Sequence, residues 1–311
     1  MSGIITHTVD TVFSRYNVYL NQCFGAAPVY ANIINRKAAL NAMFTPCPPE
    51  KAWRTEALFK GLRHNLAVAS ILSGGTASPI WVDDIDSPVA GVTRSGSRVY
   101  VAGEVSGDLF SSLAETLTWG AGTRDSGVSV IYLEPGHDDD RFLELEGFRV
   151  TPRKRNYYEV EATRHDWKTG PPKGYTIHMV DRNLLSMGLK NTDRVIDEMR
   201  SERPTLEGFL ENCFSFCAVA SGEIAGWCMS EYNTGDRFEI GIETTEKHRR
   251  RGLALQTAKA TINYGIARGY RLVGWHCWAD NMASNGLAQA LGFSHVCEYP
   301  AYVLRRAAST T

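Results

Sequence analysis

Residues 236–268 read DRFEIGIETTEKHRRRGLALQTAKATINYGIAR, and the order of elements inside them decides the fold. Phe238, Ile240 and Ile242 alternate with Glu239, Gly241 and Glu243, the period-two pattern of a strand with one apolar face. A basic turn, Lys247-His248-Arg249-Arg250-Arg251, leads to Gly252. Leu255, Ala258, Ile262 and Ile266 then recur at helical spacing. Strand, glycine turn, helix: this order gathers free backbone N–H groups at the positive end of a helix dipole, which suits a phosphate or pyrophosphate. Without a ligand the arginines form a solvated basic turn. Gly252-Leu253-Ala254, running straight into the helix, favours the phosphate reading.

Around this stretch the chain is an ordinary α/β sequence. Its 311 residues are enough for two domains, with 43% hydrophobic and 22% charged residues. A net charge of −1 gives no field toward nucleic acid or anionic lipid, so neither is expected as a partner. No apolar run reaches the ~18 residues that span a bilayer. The N-terminus lacks a basic start followed by an apolar block, so a cytoplasmic protein is expected. The seven cysteines form no C-x-x-C pair and have no histidine pair at ligand spacing. They read as reduced and buried, with no metal expected. His137 with Asp138, Asp139 and Asp140 lacks the spacing of a calcium loop and reads as a solvated turn.

Taken in order, residues 9–72 are expected to be mainly helical, with Trp53, Leu58, Leu62 and Leu66 on one face of a helix from Pro49 to Leu72. Strands follow at 79–83 and 98–102, a helix at 108–119, a strand at 128–133, a short helix ending at Gly147-Phe148, and a strand near 157–161. The polar stretch 162–173, with Gly170-Pro171-Pro172, is the candidate linker. It divides a 1–165 unit from a 172–311 unit. The second unit is expected to hold a strand at 175–180, helices at 181–187 and 192–199, and a hairpin of 214–220 with 224–231 turning at Ser221-Gly222-Glu223. After residues 236–268 come a strand at 272–277, a helix at 282–291 and a strand around 302–305. The halves rhyme: each has a strand, then Gly-Phe (147–148 and 292–293), then a tyrosine (Tyr158 and Tyr302) at similar intervals, which suggests a diverged tandem repeat. Where the second half has its basic turn, the first has Gly103-Glu104-Val105-Ser106-Gly107-Asp108. Its acids would repel a pyrophosphate, so one cofactor site is expected, in the second half.

The word Arg249-Arg250-Arg251-Gly252-Leu253-Ala254 fits the pattern (Arg/Gln)-x-x-Gly-x-(Gly/Ala), and it follows Glu239-Ile240-Gly241 on a strand. Downstream stands Asn281-x-x-Ser284-x-x-Leu287-x-x-x-x-Gly292-Phe293. Together these resemble the GNAT N-acetyltransferase superfamily, nearest to bacterial zwittermicin-resistance-type acetyltransferases, over about residues 172–306. The resemblance implies tandem GNAT-like halves, the first degenerate, around a mixed central sheet flanked by helices. It implies acetyl-CoA as donor and direct attack by a primary amine, without an acyl-enzyme. It assigns Arg249, Arg250, Arg251, Gly252, Leu253 and Ala254 to the pyrophosphate, Asn281 and Ser284 to the carrier, and a backbone N–H near a strand bulge, around Ile242 or Thr244, to the oxyanion.

A lysine-like amine has a pKa near ~10.4, so a protonated acceptor costs roughly 4–5 kcal/mol at pH 7. A carboxylate base contributes ~10²–10⁴-fold. Glu239 is the first candidate and Glu243, on the same strand face, the second; read blandly, they are solvated strand acids. Cys277 neighbours His276, but adjacent strand residues face opposite ways, so a buried structural cysteine is expected rather than a thiol nucleophile. Relatives often carry a tyrosine where this chain has Ala288, seven residues after Asn281, which leaves the proton donor open. The acceptor is expected to be a small-molecule amine. A peptide or protein amine, or a CoA-binding module without turnover, are the alternatives. A monomer or homodimer is expected.

Overall fold

The computed structural model describes residues 44–118, 128–203 and 205–307. The expected helices before residue 44 lie outside them, as does the end of the helix expected at 108–119. Twelve strands form one continuous mixed sheet. In the first half these are β1 (Thr45–Pro46), β2 (Ile80–Val82), β3 (Ala90–Ser95), β4 (Arg98–Gly103), β5 (Val128–Tyr132) and β6 (Phe148–Glu161). In the second half they are β7 (Thr176–Met179), β8 (Ser215–Ala220), β9 (Glu223–Thr234), β10 (Arg237–Thr244), β11 (Leu272–Trp278) and β12 (Ser294–Arg306). The helices are α1 (Leu66–Leu72), α2 (Gly107–Thr118), α3 (Arg182–Ser186), α4 (Thr192–Glu202), α5 (Leu206–Asn212), α6 (Leu253–Ala267) and α7 (Met282–Ala290).

The repeat is legible in the ladder. β3 runs antiparallel to β4 and β4 parallel to β5; β9 runs antiparallel to β10 and β10 parallel to β11. The final strands are exchanged. β12 lies between β5 and β6, while β6 lies between β12 and β11, so each half completes the other's sheet. One sheet thus carries both halves, its seam joins β6 to β11, and side chains of β4, β5 and β6 share a cavity with those of β10 and β11.

Several points differ from the reading of the sequence. The expected helix from Pro49 to Leu72 is two 3-10 turns, Pro49–Thr55 and Leu58–Leu62, followed by the short α1. The break falls at Asn65, which is extended, because the Leu66 N–H is given to Glu239 and not to a preceding turn. Trp53 is 63% exposed and does not share the buried face of Leu62 and Leu66. β3 and α5 were not foreseen, and the short helix expected before Gly147 is a 3-10 turn at Asp140–Glu144. β6 and β12, expected as short strands near 157–161 and 302–305, run for 14 and 13 residues.

The hairpin of β8 and β9 turns at Ser221 and Gly222, both at positive φ, as a tight turn with right-handed twist requires. On one face α6 and α7 cover Phe238, Ile240, Val273, Trp275 and Cys277. On the other, α1 lies against β9 and β10, and Tyr100, Tyr132, Tyr157 and Tyr299 join its cluster across the seam. Among the described residues no helix is long and apolar enough to cross a membrane.

Candidate active site

β10 and β11 pair only from Arg237 to Glu239 against Leu272 to Gly274. Beyond that point β10 stays with β9 to Thr244, while β11 stays with β6 to Trp278. The two strands therefore part, and backbone groups of β10 that faced β11 lose their ladder partners. A cavity of about 280 Å³ opens at this fork, lined by Ile240, Gly241 and Ile242 on one side and Trp275, His276, Cys277 and Trp278 on the other. The first half closes it with Asn65, Arg98, Tyr100, Tyr132 and Arg155.

Glu239 stands at the apex of the fork, 6% exposed. Its Oε1 accepts from the Leu66 N–H at 2.5 Å and from His276 Nε2 at 3.1 Å. The Tyr299 hydroxyl lies 2.8 Å from His276 Nδ1 and 3.4 Å from Asn65 Oδ1; with the proton of a neutral imidazole on Nε2, toward Glu239, Nδ1 is the acceptor. The His276 ring stacks on Tyr157 with centroids 4.6 Å apart. Burial pushes the Glu239 carboxyl up, but His276, the Leu66 N–H and Arg98 outweigh it and hold Glu239 below the ordinary carboxylate value. Burial also holds His276 below the ordinary histidine value, against the pull of Glu239. Glu239 is thus ionised beside a neutral histidine, and among the described residues no hydrogen bond reaches its Oε2.

Two further acids line the cavity. Glu198 on α4 accepts from the Trp227 indole N–H at 2.5 Å. Burial, reinforced by Glu243 and Glu202, pushes its carboxyl up to about 7. Glu231, opposite Glu239 on β9, is raised well above the usual range by burial and by Glu202, Glu239 and Glu198, with Arg98 opposing. Arg98 bonds Glu202 at 3.0 Å and the Tyr232 hydroxyl at 2.5 Å, and approaches Glu231 at 3.6 Å. Glu243 shares Glu239's strand face but lies outside the cavity lining, in an ion pair with Arg194.

At the open end of the fork the chain passes through a 3-10 turn, Glu246–His248, into the basic loop. His248 is buried between the Tyr175 hydroxyl at 2.8 Å and Glu223 at 3.1 Å, and pins the loop to the β8–β9 turn. Arg250 and Gly252 both have left-handed backbone, at φ 63° and 75°. Gly252 is the N-cap of α6, and no side chain caps that helix. The first-turn N–H groups of a 15-residue helix are therefore left to solvent or an anion, with Arg249, Arg250 and Arg251 exposed around them. The open N-terminus and the fork leading from it fit a pyrophosphate with a thioester arm. Leu253 is buried and Ala254 half-buried at the helix start. The Thr244 hydroxyl is buried without a partner among the described residues, and Ile242 borders the cavity. The register irregularity of β10 falls between Arg237 and Glu239, upstream of both.

Asn281 and Ser284 border the cavity too. Asn281 caps α7 through Oδ1, and the Ser284 hydroxyl accepts from the Trp275 indole at 3.0 Å. Cys277 is buried on the α7 face, 3.3 Å from Asn285 Oδ1, while His276 faces the cavity. The Cys277 thiol is pushed up by burial, the opposite of an activated nucleophile. Ala288 is fully buried in the core beneath α7.

A family model described as GNAT acetyltransferase matches residues 56–302. The chain belongs to the GNAT acetyltransferase family. An uncharacterized N-acetyltransferase of Bacillus subtilis, YdfB, is 28% identical over 131 residues, covering 42% of this chain and 49% of that protein. The chain thus spans about half the length of this curated relative. Among solved structures, a GCN5-related N-acetyltransferase-like protein from Streptococcus suis superposes with a TM-score of 0.64 at 22% identity, over 82% of this chain and 99% of that one. A tandem GNAT protein from the clavulanic acid biosynthesis pathway superposes with a TM-score of 0.55 at 14% identity, over 86% and 99% of the two chains. These likenesses show the fold, a tandem GNAT architecture on one mixed sheet.

Asn65, Arg98, Arg155, Glu198, Glu231 and Asn285 were not singled out from sequence. The first three sit in the half read as degenerate, and no local pattern ties them to β10. His276 was set aside as a partner for Cys277, and Tyr299 could not be placed without the pairing of β12.

Proposed function

We propose that the protein transfers an acetyl group from acetyl-CoA to a primary amine of a small molecule. The observation that carries this is the fork between β10 and β11, with a buried, ionised Glu239 at its apex and an uncapped helix N-terminus at its open end. Bound acetyl-CoA supplies a thioester carbonyl open to attack. The N–H groups at the start of α6, with Arg249, Arg250 and Arg251, hold its pyrophosphate; Asn281 and Ser284 border the path of the arm. The freed N–H groups of β10, around Ile242, polarise the carbonyl oxygen. Glu239 holds the acceptor's ammonium through Oε2 and removes its proton, directly or through water. Neutral His276 keeps Oε1 fixed and links Glu239 to Tyr299. We assign Tyr299 as the hydroxyl that meets the departing thiolate, whose pKa of ~8.5 demands only a weak donor. Ala288, buried in the core, has no part in this. The cavity of about 280 Å³, closed by the first half, favours a small acceptor over a protein chain. Incubating acetyl-CoA with a panel of small amines and following thiol release tests the reading. Amine-dependent release is the expected result; none with any amine overturns it.

A further inference from the structure

Among the described residues Arg155 is a charge without a counter-charge. It projects from β6 into the cavity, held between the rings of Tyr132 and Trp278 with its guanidinium carbon 5.5 and 5.0 Å from their centroids. One nitrogen donates to the Tyr132 hydroxyl at 2.8 Å. Nε is buried without a partner, and among the described residues no carboxylate pairs with the group. The contrast with its neighbours is sharp: Arg98 and Arg237, which also point to the seam, are both matched by acids. Half-burying a cation and shielding its Nε without a counter-charge is costly, so such a group is kept where a ligand brings the anion. The planar fork of a guanidinium matches a carboxylate in particular.

The carrier does not supply that anion. Its phosphates are assigned to the N-terminus of α6, which packs on the opposite sheet face, over Phe238, Ile240 and Val273. Arg155 shares its face with Tyr157, two residues along β6, and with the aromatic cluster of the seam. The same cavity is lined by the ionised Glu239, with Glu231 and Glu198, whose carboxyls are pushed up, and Arg98, whose charge is met by Glu202. The cavity therefore offers one unpaired cation, Arg155, and one ionised carboxylate, Glu239, and its volume, at the low end for ligand sites, suits a molecule of few heavy atoms.

We infer that the acceptor is an amino acid or a close amino-acid analogue, its carboxylate held by Arg155 and its amine presented to Glu239. This rests on the acetyl-transfer reading for its chemistry but not for its binding, so the two fail separately. The test uses the wild-type protein with the common free amino acids, β-alanine and 4-aminobutanoate, each beside its carboxamide, which keeps the amine and the size but removes the negative charge. Calorimetric binding and acetyl transfer are both measured. At least one acid is expected to bind, and its carboxamide to bind at least tenfold more weakly. Arg155→Met should erase that preference and Arg155→Lys retain part of it. A carboxamide that binds as well as its acid, or no binding by any of the acids, overturns the proposal even if other amines are acetylated. Selective binding without transfer to any of these ligands would uphold the carboxylate site at Arg155 but overturn its assignment to the acceptor.

Discussion

Replacing Glu239 by glutamine removes one negative charge and almost no volume, so its effects divide cleanly between stability and chemistry. In the native protein Oε1 accepts two hydrogen bonds, from the Leu66 N–H at 2.5 Å and from His276 Nε2 at 3.1 Å. Both are charge-assisted, and each weakens by ~1 kcal/mol when the acceptor becomes neutral. A loss of about 2 kcal/mol is expected, with α1 loosening against β10 because its first N–H is tied there. In chemistry the loss is larger, since an amide cannot take the acceptor's proton, and turnover should fall by ~10²–10⁴-fold. CoA affinity should change little, because α6 lies on the other sheet face. Urea unfolding gives the first number, steady-state thiol release the second, and calorimetry with CoA the third. Turnover equal to wild type would remove Glu239 from the role of base. Unchanged stability would show that its charge does not hold α1 in place.

Glu198→Gln should change the dependence of stability on pH. The Glu198 carboxyl rises from 4.5 to about 7 in the folded chain, so the native state binds the extra proton between those values. Its stabilising contribution is complete below pH 4.5 and is lost as pH rises through 7, a swing of about 3 kcal/mol that glutamine lacks. The variant should therefore gain on wild type between pH 5 and pH 8 in urea midpoints; parallel midpoints would contradict the raised value. Arg98→Met leaves Glu202 buried without its cation and should cost ~3–5 kcal/mol in the same assay, whereas a loss under ~1 kcal/mol would mean that acid protonates freely. Tyr299→Phe removes the hydroxyl that bonds His276 and should lower kcat by at least about tenfold while leaving CoA binding unchanged; an unaltered kcat would remove Tyr299 from the role of thiolate partner.

The second half was legible because its signals are local. Apolar alternation, the glycine before α6 and Asn281 before α7 are each written in a few consecutive residues, and each lies where its spacing placed it. The exchanged strands were not, and the reason is physical. Residues 149–155, RVTPRKR, carry charge and a proline, so only the apolar end of β6 at 157–161 announced itself. Its charged part pairs with β12 across the seam, where Arg155 turns to the cavity and Arg153 lies over Trp278. Site residues that depend on this exchange were equally hidden. Glu239 and Glu243 looked equivalent by strand parity, and only the arrival of α1 on one and Arg194 on the other separates them. The segment after Pro49 shows the converse: helical spacing does not give one helix there, and the chain breaks before α1 where Leu66 gives its N–H to Glu239, 173 residues away.

The central claim is that a diphosphate-bearing acyl carrier docks on the N-terminus of α6 and threads the fork of β10 and β11. Calorimetric titration of CoA into the wild type, Gly252→Ala and Gly252→Glu measures it directly. Both variants share the strain of a left-handed backbone at φ 75°, and neither Cβ meets an atom within 4 Å, so alanine isolates the strain and glutamate adds only charge and reach. Binding that survives alanine in weakened form and vanishes with glutamate is the predicted result. Equal CoA affinity in the alanine and glutamate variants would place the carrier elsewhere.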